Sequence, residues 1–270
     1  LQALKREYAD KRGLFVRVRC FDPSAYPQDT PVHAAFIAAG FQAQDKPYYM
    51  TILMDISPSL ETLRKNLLPR WRRNLVKAEK NNLTVRWGMG SEHYGVFRAL
   101  SDQMFDRKHP EKWFDPDFEK YWAIQDRLPE DLKMAVVICE SEGEPVAANV
   151  LCAMGNTGMY LFGATGEKGV RDNLYAAYLL QWACIQWLKD KGYARYDLRG
   201  YHPERFPGVS QFKSGMGGDI VDYAEFRVCS NRLVGPLIVW AEWAALRLRW
   251  LKSFLKKQLD RQTGASQAAS

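Results

Sequence analysis

The chain has 270 residues, 47% of them hydrophobic, enough for a sizeable core and for one large domain or two smaller ones. Its 38 Lys and Arg against 31 Asp and Glu leave a formal charge of +7, which favours polyanionic partners: tRNA, nucleotide diphosphates or anionic lipid. No uncharged apolar run reaches the roughly 18 residues of a membrane span. The cysteines and histidines lack CxxC or HxxxH spacing, so the expectation is a soluble, cytoplasmic protein with reduced thiols and no metal.

The opening LQALKREYADKRG has a helical pattern and starts without methionine, so further sequence upstream is expected. Gly13 to Asp22 alternates apolar and charged residues and predicts a half-exposed strand, followed by a turn through Pro23, Pro27 and Pro31. HAAFIAAGFQAQ predicts a short helix stopped at Gly40, and YYMTILMDIS another strand. Ser59 is placed to cap the helix that follows.

That helix, LRKNLLPRWRRNLVKAEK, carries the densest positive charge in the chain. Arg70, Arg73, Lys77 and Lys80 fall three or four apart on one face, while Leu67, Trp71, Leu75 and Ala78 fall on the opposite one. Like charges at that spacing cost a few tenths of a kcal/mol per pair, and a phosphate or tRNA backbone would compensate for them. A solvated face with distant acidic neighbours is the plainer reading.

NLTVRWG predicts a strand ending at Gly88 and Gly90. A helix from Ser91 meets a His-Pro and an Asp-Pro break and resumes through Phe118 to Leu128. Three strands follow in KMAVVICESEGEPVAANVLCAMGNTGMYLFGAT, with turns at Glu142-Gly143 and Gly155-Asn156. Alternation on the last strand turns Tyr160 and Phe162 the same way, as candidate pocket residues or simply core. A helix then runs to Lys191, and ARYDL ends a strand at Asp197, whose carboxylate either reaches into a cleft, to orient an amine or take its proton, or pairs with Arg195 or Arg199.

The last signal, FPGVSQFKSGMGG, reads as a Gly-rich turn around Lys213. Glycines there permit positive φ and close backbone approach, and Phe212 is placed to desolvate the ammonium. Such a lysine can donate to the oxyanion of a tetrahedral intermediate, or shuttle a proton if burial lowers its pKa. Residues 235–262 predict an amphipathic helix with Leu237, Trp240, Trp243, Trp250 and Phe254 on one side and Arg247, Arg249, Lys252, Lys256 and Lys257 elsewhere, either docked on its own domain or lying on anionic lipid. GASQAAS reads as a frayed tail.

The stretch from Tyr160 to Gly218, together with RNLVKAEK at Arg73 to Lys80, resembles the FemABX family of aminoacyltransferases that build peptidoglycan peptides from aminoacyl-tRNA. The resemblance implies an α+β fold of two acyltransferase-like domains of the Gcn5-related acetyltransferase type, the first incomplete, with the basic amphipathic helix at the C-terminus. It places the first domain at 1–90 and 226–262, the second at 91–225, and the disordered tail at 263–270. It implies transfer of an amino acid from aminoacyl-tRNA, as co-substrate and without other cofactor, to an amine on a peptidoglycan precursor, with possible peripheral contact at the inner face of the membrane. Phe212 and Lys213 match the family's phenylalanine-lysine pair, making them, with Asp197, the catalytic candidates. Tyr160, Phe162, Arg107 and Arg199 become substrate-binding candidates, Arg107 and Lys108 resembling a basic position that holds precursor phosphate. Arg70, Arg73, Lys77 and Lys80 become the tRNA or phosphate candidates. The inserted coiled-coil arm of some relatives is absent.

Two other readings stay open. An acetyl-CoA N-acetyltransferase needs a turn of the R/Q-x-x-G-x-G/A type to hold pyrophosphate at a helix N-terminus. GATGEKGVRDN lacks it, and RFPGVS at Arg205 to Ser210 ends in serine with no helix pattern after it. A non-catalytic RNA- or membrane-binding module with a degenerate transferase fold is the other. The amino acid transferred, the form of the acceptor and the oligomeric state are not legible.

Overall fold

The structure, a computed structural model, describes residues 1–20, 23–108, 118–125, 127–231 and, in the last helical stretch, 234–235, 237–241, 243–245 and 247–248. The expected breaks at His109-Pro110 and Asp115-Pro116, the helix beyond 248 and the tail at 263–270 lie outside the described residues. After a helical start, the elements are β1 (Val16–Arg19), α1 (Pro31–Ala38), β2 (Gln42–Ala43), β3 (Tyr49–Asp55), α2 (Leu60–Asn66), α3 (Pro69–Glu79), β4 (Thr84–Gly88), α4 (Ser91–Lys108) and α5 (Phe118–Gln125). They continue as β5 (Ala135–Ser141), β6 (Glu144–Met154), β7 (Thr157–Thr165), α6 (Glu167–Arg171), α7 (Ala176–Asp190), β8 (Arg195–Asp197), α8 (Pro207–Ser214), β9 (Asp219–Tyr223) and β10 (Glu225–Val228). The fold is α+β, with helices on a large mixed sheet.

The chain divides into two compact units, 1–48 with 222–270 and 49–221. The boundary expected near Ser91 therefore falls at Tyr49 instead. The reason is strand pairing: β3 pairs with β8 and β4 with β5, which ties residues 49–90 into one sheet with the strands that follow. In the smaller unit β10 lies between β1 and β2, all antiparallel, and Val18, Phe36, Phe41, Phe226 and Val228 pack on one face of that sheet.

In the larger unit the strand order is β4-β5-β6-β7-β8-β3-β9. One apolar cluster joins α2, α3 and α7 to one face of the sheet through Leu63, Trp71, Leu75, Leu180, Ile185 and Leu188. On the other face α4 packs through Tyr94, Phe97 and Leu100 against Val136, Ile138, Ala148 and Val150. Alternation along β5 and β6 serves both layers, which is why these strands read as continuous apolar runs.

Two local features depart from the sequence reading. The basic helix is two helices, because Pro69 lacks an amide hydrogen and holds Leu68 extended, with ψ 145°. Ser59 does cap the first of them, accepting from the Thr62 amide at 3.2 Å. The second departure is the lysine segment: Pro207–Ser214 is a helix with proline in its first turn, not a turn, so RFPGVS does lead into a helix against expectation, and the glycines sit after it. Gly217 and Gly218 there have φ of +90° and +93°.

Candidate functional site

Strand β8 is short and has β7 parallel on one side and β3 antiparallel on the other, with Met159 and Leu53 both level with Asp197. Past Asp197 the chain keeps company with β3 alone: Leu198 donates to the Ile52 carbonyl at 2.9 Å and Tyr201 to Met50 at 2.9 Å. Strand β7 meanwhile runs on from Tyr160 to Thr165, paired only with β6. The two strands thus splay apart beyond Asp197.

Lys213, in the last turn of α8, fills the splay. Its ammonium donates to the carbonyl oxygens of Arg199 and, at 3.0 Å, Gly200, and lies 5.5 Å from the centroid of the Tyr160 ring. The residue is only 7% exposed. Burial lowers its pKa to about 8, the Asp197 carboxylate opposing the shift and the Arg199 guanidinium adding to it. An ammonium has three donors, so two carbonyls leave one for a substrate oxygen.

The carbonyl pair owes its direction to an unusual backbone. Arg199 and Gly200 both have positive φ, 52° and 36°. Buried Asp197 fixes the turn: it accepts from the Thr51 hydroxyl and, at 2.7 Å, from the Arg199 amide. The Gly200 amide donates to the Tyr49 hydroxyl, and the Arg199 guanidinium lies 5.4 Å from the Tyr49 ring. Asp197 therefore sets the backbone that receives Lys213, and its tie to Arg199 runs through the main-chain amide.

Tyr160 and Phe162 do not face the same way. Val150 is opposite Phe162 and Leu151 opposite Tyr160, so Leu161 is an extra residue, a β-bulge that breaks the alternation. Tyr160 packs with the cluster under α7, while Phe162 packs with Phe97 and Tyr121 on the opposite face. The Tyr160 phenol passes across Gly163, where a Cβ would stand 1.9 Å from its oxygen. Buried Asn149, Gln181 and Tyr196 lie beneath, with the Tyr196 hydroxyl donating to Gln181 at 2.7 Å. These three were missed because nothing local separates a buried polar residue from a surface one.

Phe212 does not shield the ammonium beside it. Neighbours on a helix point about 100° apart, and Phe212 packs instead with Trp71 and Tyr178, at centroid distances of 5.9 and 5.0 Å. It thereby joins α8 to α3, as does the Leu68 amide donating to Gly215 at 3.0 Å. Arg107 is likewise apart from Lys213: on α4 it donates to the Thr165 carbonyl at 2.8 Å, at the far end of β7.

On α3 the expected division of faces is present, with Trp71, Leu75 and Ala78 buried and Arg70, Arg73, Lys77 and Lys80 on the outer side. Arg64, on α2, is held by Glu79 in a two-pronged ion pair of 2.7 and 2.6 Å. Lys77 reaches the Tyr175 hydroxyl at 3.4 Å, beside the start of α7. Among the described residues no group of His, Cys, Asp and Glu is placed to hold a metal, and no helix is long and apolar enough to cross a membrane. Burial lifts the Cys152 thiol near the site to about 11, which leaves it protonated at neutral pH.

Residues 64–214 match the family described as an acetyltransferase (GNAT) domain, more than half of the chain and the part that carries α3, the splayed strands and Lys213. Among solved structures, FemX superposes with a TM-score of 0.65 at 16% identity, over 78% of this chain and 71% of that one. L-PGS from Bacillus licheniformis gives 0.56 at 17% identity, over 86% and 74%. The C-terminal domain of a putative lysylphosphatidylglycerol synthetase from Agrobacterium fabrum gives 0.54 at 15%, over 77% and 67%. At these identities the likeness is one of fold. No curated protein matches the sequence.

Proposed function

The chain belongs to the acetyltransferase (GNAT) domain family, an acyl-transfer fold, and from that premise we propose that it is an aminoacyltransferase, moving an amino acid from aminoacyl-tRNA to an amine on a peptidoglycan precursor. The observation that carries the reading is the buried Lys213 ammonium in the strand splay, with a donor to spare, in a chain whose fold resembles FemX. Aminolysis of an activated ester needs alignment and charge stabilisation more than a strong base. The amine nitrogen attacks the ester carbonyl, and the carbonyl oxygen becomes an oxyanion that accepts from Lys213. Collapse breaks the bond to the ribose oxygen, which leaves carrying the proton that the amine gives up. Asp197 acts through the Arg199 and Gly200 carbonyls as a positioning residue, Tyr160 forms the floor, and the outward cations of α3 give the tRNA backbone a surface to follow.

Incubation with charged tRNAs and both nucleotide-linked and lipid-linked precursors, with products weighed by mass spectrometry, tests this. A precursor heavier by one amino acid residue is the expected result, and its absence in every combination rejects the reading. The family description itself favours a second reading, acetyl transfer from acetyl-CoA. The turn after β7 weighs against it, since it lacks the R/Q-x-x-G-x-G/A pattern and puts an acidic residue, Glu167, at the start of the short helix that follows. Saturable binding of CoA would select it.

A further inference from the structure

The turn that receives Lys213 carries a second titratable group, His202, which the transfer chemistry so far leaves unused. Its main chain is tied down. The His202 amide donates to the Ser210 hydroxyl at 3.3 Å, and its carbonyl accepts from the Arg205 and Phe206 amides at 3.2 and 2.8 Å. Ser210 and Lys213 are the buried positions of α8, three residues apart and so on one face of the helix. Residues 199–202 are thereby fastened to that face at two successive levels, the Arg199 and Gly200 carbonyls by Lys213 and the His202 amide by Ser210.

The imidazole itself is left open. It is partly exposed and stands edge to face against Tyr49, with 6.4 Å between ring centroids. Among the described residues neither of its ring nitrogens has a hydrogen-bond partner. Tyr49 is the residue whose hydroxyl accepts from the Gly200 amide, so the histidine is one ring away from the carbonyls that hold the ammonium. Burial, then the Arg205 guanidinium and the Lys213 ammonium, lower the His202 pKa from its ordinary value of about 6.5. Tyr49, facing it from β3 under the Arg199 guanidinium, has its own pKa raised by burial and stays neutral. At neutral pH His202 is therefore an uncharged base beside a fixed cation.

An alkyl amine is an ammonium at neutral pH, with a pKa near that of lysine, about 10, and has no lone pair until a proton leaves. Two protons must be lost in forming the amide, and the departing ribose oxygen takes only the second. Lys213 must keep its charge to serve the oxyanion, and Asp197 is held in the turn by the Thr51 hydroxyl and the Arg199 amide. We infer that His202 is the general base that takes the first proton from the acceptor ammonium, after which the free amine attacks the ester carbonyl and the imidazolium passes its proton to solvent. The inference rests on the aminoacyl-transfer reading and adds to it the group that prepares the nucleophile.

Transfer rates of the full chain with charged tRNA and precursor, measured between about pH 5 and 8 for wild type, His202→Gln and His202→Ala, test it. The wild-type rate is expected to rise with pH up to the histidine's value and then to hold level until Lys213 begins to lose its proton at about 8. His202→Gln keeps the main-chain tie to Ser210 and should be slower by about a hundredfold or more near neutral pH, with a climb in place of the plateau. Added imidazole should restore rate to His202→Ala, which a merely structural role would not allow. Melting temperatures serve as the control for folding. A wild-type profile that is flat below about pH 6.5 overturns the base without recourse to any variant. Variants that keep the wild-type profile, or that imidazole does not restore, overturn it while the transfer reading stands. No product from the wild type with any pair of substrates overturns both.

Discussion

The ammonium of Lys213 lies 5.5 Å from the centre of the Tyr160 ring, the lysine reaching from α8 into the strand splay and the tyrosine standing on β7 at one side of it. An aromatic face attracts a cation, with a gain of about 0.5 to 2 kcal/mol, and the Arg199 and Gly200 carbonyls supply the hydrogen bonds that burial otherwise denies it. The site is thereby assembled around a charge that must stay where it is placed.

Lys213→Ala is expected to remove turnover by a factor of about a hundred or more, the scale for an oxyanion donor, while leaving affinity for tRNA and precursor nearly unchanged. Single-turnover rates set against filter-binding affinities check this. Parallel loss of both would make Lys213 a binding residue.

Because the donor must be charged, wild-type transfer is expected to decline as pH rises through about 8, the lowered value of Lys213. A rate that instead climbs through that pH would assign the lysine the role of base.

The same shift has a consequence for stability. Between about 8 and 10.5 the unfolded chain holds a proton on Lys213 that the folded chain has lost, so stability rises with pH across that window, by up to about 1.4 kcal/mol per unit from this group. Urea midpoints for wild type and Lys213→Met, compared across the window, isolate the contribution. The variant should lack that part of the slope.

Arg73→Ala with Lys77→Ala should weaken tRNA binding and flatten its dependence on salt, by roughly 0.7 to 0.9 in log-log slope for each phosphate that is no longer neutralised. An unchanged slope would take α3 out of the nucleic-acid surface.

Gly218→Ala is expected to destabilise the larger unit by about 1 to 3 kcal/mol. Its φ is +93°, and an added Cβ would stand 2.8 Å from the Leu53 carbonyl oxygen on β3. Chemical denaturation measures the change, and a midpoint within error of wild type would rule out the close approach.

Much of the fold was legible because it is written in local periods. The alternation in GLFVRVRC, the apolar runs of β5 and β6 and the glycine at 143 each constrain a few neighbouring residues, and the strands and turn stand where they predict. The two faces of α3 were legible for the same reason, since spacing of three and four alone separates Trp71 and Leu75 from Arg70 and Arg73. Pro69 was visible too, yet its effect on Leu68 outweighed a helical charge pattern that spans it.

What the sequence determined by itself was an α+β acyltransferase-type chain with a lysine before a glycine turn and a cationic helix. Only the tertiary structure decided what that lysine faces. Its partners are carbonyls on a turn held by Asp197 and Thr51, 146 residues apart, and a ring whose side of the sheet depends on one inserted residue, Leu161. A bulge shifts a strand's alternation by one without changing its composition, and a burial that lowers a pKa is a property of what packs around a residue. Neither leaves a trace in the local order of amino acids.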